Sequence, residues 1–246
     1  MSGHSKWNNI KRKKEKTDGA KAKVFTKMAR EIAVAVKEGG GGDPNSNGRL
    51  RDVIAKAKSQ NVPNDNIDRA IKRASEAKGE EYETILYEGY GPCGVAIIVE
   101  TMTDNRNRTA ANMRHYFDKF GGNLGTSGCV SFLFNQKGVL LMDAEGKDEE
   151  KVMEDCFEAG AEDFDMGEEY IEITTAPLQL GTVREAMEKM GYAFESFEVA
   201  YLPTTETAVE GEENIKKMGL LLDALDEDDD VQDVWHNLAN EDVLDR

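Results

Sequence analysis

The sequence predicts an α+β multidomain protein: an N-terminal three-helix domain, then two α/β domains, the third of ferredoxin-like βαββαβ order and inserted in the second. Three observations predict it. Apolar residues recur at helical spacing in three successive segments before residue 79, then give way to β-formers alternating with amphipathic helices. A chain of 246 residues is long enough for two or three domains of ordinary size. With 39% hydrophobic and 32% charged residues it can build cores and cover them, which argues against wholesale disorder. The expected boundaries are 1–79 for the basic arm and helices, 80–135 with 204–246 for the second domain, and 136–203 for the inserted one.

The first twenty residues read as an arm, with Trp7 and Ile10 as their only large hydrophobes. From Lys21 onward Phe25, Met28, Ala29, Ile32 and Val36 form the stripe of an amphipathic helix, which Gly39–Gly42 ends as a flexible interhelical loop. A second helix over 47–59 buries Leu50, Val53, Ile54 and Ala57 and leaves Arg49, Arg51, Lys56 and Lys58 for its other faces. A third follows Pro63, burying Ile67, Ala70, Ile71 and Ala74 while Arg69, Lys72 and Arg73 stay wet. Helices this short are marginal alone, so the three should pack as a bundle.

Beyond the polar 77–81 junction, strands are expected at 85–88 and 95–103, a helix over 107–120 with Ala110, Met113, Phe117 and Phe120 buried, and a strand at 129–134. Gly138 reads as a turn or bulge. The run 138–201 then gives strand, helix 148–159, strand, strand 170–174, helix 177–190 and strand 193–201. A further strand, a helix over 212–225 and a strand over 231–238 complete the chain and return to the second domain.

Charge is divided along the chain. Residues 1–79 hold 19 Lys and Arg against 9 Asp and Glu, a balance of +10, while the remainder holds 12 against 39, or −27, which together give the net −17. A phosphate backbone feels charge within a Debye length of about 8 Å, so a polyanion can bind the basic end despite the acidic average. The alternative is that the basic end docks on the protein's own acidic body. Lys6, Lys11, Arg12, Lys13, Lys14, Lys16, Lys21 and Lys23 are the candidate phosphate contacts of the arm and first helix. Trp7 is placed to stack on a base or to pack on the bundle, and Arg69 and Arg73 reach base edges only if the third helix is presented outward.

The densest polar segment, 100–109, joins a strand to a helix that Asp104 or Asn105 caps. Arg106 and Arg108 then stand near the helix start, to bind phosphate or to hold domains together through carboxylates. No P-loop, HExxH, GxSxG or EF-hand spacing occurs, three histidines are too few for an expected triad or metal site, and Asp226–Asp230 reads as a solvated acidic turn. No catalytic residue, cofactor or metal is expected. Cys93, Cys129 and Cys156 are expected to be reduced and partly buried. The apolar runs are too short to span a bilayer and no secretory signal is read at the N-terminus, so a cytoplasmic protein is expected.

The opening GHSKWNNIKRKKEKTDGAKAKVFTKMAREI, the helix VPNDNIDRAIKRA and the segment YEGYGPCGVAIIVETMTDNRNRTAANMRHYFDKFGGNLGTSGCVSFLF closely resemble the YebC/PmpR family of probable transcriptional regulators. That resemblance covers the whole chain. It implies a cytoplasmic three-domain protein that binds DNA and regulates transcription, with relatives that activate mitochondrial translation or act at the ribosome. His4, Ser5, Lys6 and Trp7 fall on the family's start, Lys11–Lys14 on its basic run and Asp104–Arg108 on its central signature. The expected partner is therefore DNA, or alternatively ribosomal or structured RNA, with protein partners on the acidic α/β domains. An enzyme acting on a small anion at Arg106 and Arg108, and a pure interaction scaffold, are the other classes.

Overall fold

The computed structural model describes residues 18–76 and 81–245. It falls into two compact units, one of residues Gln136–Leu202, the other of Thr17–Asn135 with Pro203–Arg246.

The larger unit starts with three helices, α1 (Asp18–Glu38), α2 (Gly48–Ser59) and α3 (Asn64–Ser75). Met28, Ile32, Ala35, Val36, Leu50, Val53, Ala57, Val62 and Ile67 form one buried cluster between them. Asn47 connects the first two. Its carboxamide oxygen caps α2 by accepting from Leu50 N at 2.9 Å, and its NH₂ donates to Ala35 O and Gly41 O at 2.9 and 2.8 Å. The Gly39–Gly42 loop is therefore pinned, contrary to the flexible loop expected. A Cβ on Gly39 would overlap the Asn47 amide, which is why glycine stands there.

The first sheet has the order β3-β1-β2-β8, with β1 Glu83–Tyr90, β2 Ala96–Thr103, β3 Asn123–Leu124 and β8 Val231–His236. All its pairings are antiparallel. Helices α4 (Arg106–Lys119) and α7 (Glu212–Glu227) bury Met113, Phe117, Met218, Leu221 and Leu225 against Val95, Ile97 and Val99. The opposite-parity residues Ile98 and Met102 are buried as well, so β2 reads as a continuous apolar run rather than an alternating one.

Two expected strands are absent. Residues 129–134 hold a 3₁₀ turn, Ser131–Leu133, because the Glu88 carboxylate accepts from Gly128 N, Val130 N and Ser131 N at 2.7–2.9 Å and takes the donors a strand would use. Burial would raise the Glu88 pKa, but these bonds hold it below the usual carboxylate value. Residues 204–211 form only a bridge between Thr207 and Leu238, because Asn240 accepts from Val209 N and donates to Val209 O.

The smaller unit runs β4 (Phe134–Asp143), α5 (Glu149–Glu158), β5 (Asp163–Met166), β6 (Tyr170–Thr175), α6 (Leu180–Lys189) and β7 (Ser196–Pro203), with sheet order β5-β6-β4-β7. Asp148 caps α5. Gly138 makes no turn: it pairs with Thr175 inside β4, where a Cβ would overlap the Thr175 hydroxyl and come within 2.9 Å of Leu180 Cβ.

Candidate nucleic-acid interface

Of the residues the sequence singles out, Lys6, Trp7, Lys11, Arg12, Lys13, Lys14 and Lys16 lie outside the described residues, and of Lys21 only the backbone in α1 is described. Lys23 begins a face that is already engaged. Lys23, Lys27 and Arg30 follow one another at four and three residues on α1, and all three meet the acidic end of the sheet domain. Lys23 Nζ donates to Glu227 O at 3.0 Å and Lys27 Nζ to Gln232 O at 3.4 Å. The Arg30 guanidinium donates to Met102 O, Asp229 O and Asp230 Oδ1 at 3.2, 2.5 and 2.7 Å and lies over the Tyr82 ring.

Asp230 is the centre of this seam. Its side chain, only 4% exposed, also accepts from Arg108 at 2.9–3.0 Å and from the Thr109 and Thr103 hydroxyls at 2.8 and 3.3 Å. Burial alone would raise its pKa, but the bonds from Arg108, Thr109 and Arg30 outweigh it and hold the carboxyl below its ordinary value. Asp228 accepts from Tyr116 Oη at 3.0 Å and Asn112 at 3.1 Å. The run expected to be a solvated acidic turn is thus the connector between α1, α4 and the sheet.

Asn105 caps α4, accepting from Arg108 N, and so sets the two arginines of the first turn. Arg108 bonds Asp104 at 2.8 Å besides Asp230 and belongs to the carboxylate network. Arg106 is exposed and, among the described residues, pairs only with Glu83, at 3.8 Å.

A second ionic group closes the same seam. Lys56 of α2 pairs with Glu31 of α1 at 3.0 Å, facing Glu100 and Asp233, which are directly opposite one another on β2 and β8. Burial and the like charge of Asp233 push Glu100 up to about 7, while Lys56 and Arg49 oppose the shift. For Lys56, burial favours the neutral amine but the attraction of Glu31, Asp233 and Glu100 prevails and raises its pKa. Sequence spacing gave no sign of Arg30, Asp230, Lys56 or Glu100 as a set, since the four lie on four different elements.

The outer faces of α2 and α3 differ. Arg51 and Lys58, seven residues apart, share one stripe of α2, and Arg69, Lys72 and Arg73 share one stripe of α3. All five side chains are exposed. Arg69 hydrogen-bonds Asn66 and Asp65 O on its own helix; none of the five forms an ion pair among the described residues. Arg49, by contrast, is paired with Glu38, and Lys37 with Glu81. A depression of about 550 Å³, open to solvent, lies between α2 and α3 and is lined by Gly42, Pro44, Ile54, Ile67 and Ile71 together with Lys58 and Lys72. Asn64 and Asp68 complete the lining.

Comparison with known proteins bears on this geometry. The model of the TACO1/YebC N-terminal domain matches residues 5–77 and that of the TACO1/YebC second and third domain matches residues 82–238. The chain belongs to the TACO1/YebC family. A relative from Acetivibrio thermocellus is 54% identical, over 98% of this chain and all of its own, and one from Ruminiclostridium cellulolyticum is 57% identical over 92% of each; both bear the name "probable transcriptional regulatory protein". The crystal structure of a conserved hypothetical protein from Aquifex aeolicus superposes with a TM-score of 0.82 at 46% identity, covering 91% of this chain and 92% of that one. The TACO1/YebC assignment agrees with the resemblance read from the opening and central motifs, and with a multidomain α+β fold. No helix among the described residues is long and apolar enough to cross a membrane.

Proposed function

We propose that this TACO1/YebC protein is a cytoplasmic, non-enzymatic transcriptional regulator, working without a cofactor, that holds a nucleic-acid backbone on the outer faces of α2 and α3. The arm cations Lys6, Lys11–Lys14 and Lys16 are taken as further phosphate contacts, and the acidic α/β domains as contacts to protein. One observation carries the reading: five exposed cations stand on the outer faces of two helices, none engaged in an ion pair among the described residues. Unpaired, fixed cations are what counterion release requires. Base edges could be read by Arg69 and Arg73, which the third helix presents outward. The same reading takes the chain as three domains, supported by the return of β8 to pair with β2 after the second sheet.

DNA is the first target of this reading, in keeping with the transcriptional regulation in the relatives' name. RNA is the second reading, because its helices and single strands present the same backbone charge to such a face. A salt titration of the intact protein against duplex DNA, structured RNA and ribosomes tests both. Binding that is steep in salt and lost when Arg51, Lys58, Lys72 and Arg73 become alanine is expected; binding that survives the change in full removes the α2–α3 face from the proposal.

A further inference from the structure

We infer that the basic arm, residues 1–16, docks on the face of the second sheet that the helices of the smaller unit leave bare, and that a nucleic acid takes up the arm by displacing it from there. The docking stands on the smaller unit and the arm's composition; only the displacement rests on the nucleic-acid reading above.

Parity separates the two faces of this sheet. Gly138 lies against Leu180 of α6, and the Arg184 guanidinium of the same helix lies over the Phe197 ring, 4.5 Å from its centroid, so Leu140, Met142 and Phe197 face the helices. Helix α5 packs on α6 and lies on the same side. Val139 and Leu141, with Tyr170, Glu172 and Glu198 on the neighbouring strands, point the other way. Neither helix covers that side, yet it is dry. Val139 and Leu141 are at most 1% exposed, Tyr170 3% and Glu172 6%, and one carboxylate oxygen each of Glu172 and Glu198 is closed to solvent. A sheet with helices on one face needs a further layer to bury the other.

The chemistry of the face selects that layer. Asp143, Asp163 and Asp165 share its parity and are exposed, so with Glu172 and Glu198 five carboxylates ring an apolar patch. Burial, then the charges of Glu172 and Asp165, push the Tyr170 phenol up to about 12, which marks the three as neighbours. Lys137 shares the parity but is paired with Glu162. The arm carries six Lys and Arg, Lys6, Lys11–Lys14 and Lys16, against Glu15, together with Trp7 and Ile10. The other internal stretch outside the described residues, 77–80, holds one Lys, one Glu and no large hydrophobe. An apolar pair among cations fits an apolar patch among carboxylates: Trp7 and Ile10 against Val139 and Leu141, the cations against Glu172 and Glu198. Buried carboxylates need such partners. Sixteen residues extend to about 50 Å, well over the roughly 15 Å that four strands measure across. Sheet carboxylates and nucleic-acid phosphates then compete for one set of cations, and the fraction of molecules with the arm released sets the apparent affinity.

The test uses the full chain. Its tryptophans are Trp7 and Trp235, so 5-fluorotryptophan gives two ¹⁹F resonances, which Trp7→Phe assigns. Without nucleic acid, the Trp7 resonance should lie apart from that of a peptide of residues 1–16, and Leu141 and Tyr170 should resist hydroxyl-radical oxidation. Lys11→Glu, Arg12→Glu, Lys13→Glu and Lys14→Glu together, which touch no residue of the sheet, should bring Trp7 to the peptide position and raise both oxidations several-fold. Glu172→Gln with Glu198→Gln should release Trp7 likewise and tighten duplex DNA binding about fivefold, the effect of freeing an arm docked in about four molecules of five. Trp7 at the peptide position in the native chain, or Tyr170 oxidation unchanged by the reversed arm, overturns the docking and gives the face to another part of the chain. Saturating duplex DNA should raise Tyr170 oxidation in the native chain; protection that persists overturns the displacement while the docking stands. If Trp7 is docked and no polymer binds, the docking stands and the nucleic-acid reading falls.

Discussion

The first helix and the outer faces of the second and third carry the same kinds of side chain and have opposite fates. Lys23, Lys27 and Arg30 of α1 spend their hydrogen bonds on the turn at 227–230 and on β8 and β2 of the same chain, whereas Arg51, Lys58, Lys72 and Arg73 point into solvent. The difference shows that a basic segment is a nucleic-acid surface only where the fold leaves its cations unpaired. Of the alternatives open at the level of charge counting, α1 realises docking on the acidic body, and α2 with α3 retain a free positive face.

The comparison breaks most sharply at Asp230. Asp230→Ala takes the buried carboxylate from Arg30, leaves Arg108 with Asp104 alone and frees two threonine hydroxyls, and should cost about 3 kcal/mol in denaturant unfolding, the low end for losing one partner of a buried ion pair. The same seam responds to acid. Because the folded-state pKa of Asp230 is held below its unfolded value, its contribution is full above about pH 4 and fades as pH falls through the depressed folded value. Unfolding followed from pH 6 to pH 2 should show this loss, and Asp230→Ala should remove it.

Next comes the free face. Replacing Arg51, Lys58, Lys72 and Arg73 together by alanine should lower the salt slope of duplex binding by about three to four and weaken binding roughly 100-fold at about 0.15 M salt. Stability should change by no more than about 0.5 kcal/mol for each exposed site. A matching loss of affinity on Lys27→Ala would erase the distinction drawn between the two faces.

Glu100 gives a smaller effect of opposite pH sense. Its folded pKa of about 7 lies above the unfolded value, so the docked state holds a proton, and the contribution is present at low pH and lost as pH rises from about 4.5 to 7. Glu100→Gln should therefore flatten the curve and raise stability at pH 8 by on the order of 1–3 kcal/mol. Least of all, Lys23→Ala removes one peripheral hydrogen bond to Glu227 O and should cost no more than about 0.5 kcal/mol.

Much of the local structure was legible. The stripes of Met28, Ile32 and Val36, of Leu50, Val53 and Ala57, and of Met113 and Phe117 are the buried faces of their helices, because the 3.6-residue period maps directly onto one side of a cylinder. Asn105 was one of two caps the 100–109 segment offered, and it is the one used. Residues 129–134 and 204–211 misled because they are rich in β-formers, yet Glu88 and Asn240, distant in sequence, take the backbone groups that a ladder needs. Arg106 and Arg108 were one pair in the sequence; in the fold Arg108 belongs to Asp230 and Arg106 stays exposed.

By itself, the sequence determined the helices and most of the strands, which family the chain belongs to, and that positive charge gathers ahead of residue 79. Periodicity, caps and net charge are properties of neighbours along the chain. Only the tertiary structure decided which cations remain available, since Asp230 lies 200 residues beyond Arg30 and meets it through a contact that no local spacing encodes. A side chain's charge is set by its chemistry, but whether that charge is spent inside the molecule depends on what the fold brings within hydrogen-bonding distance.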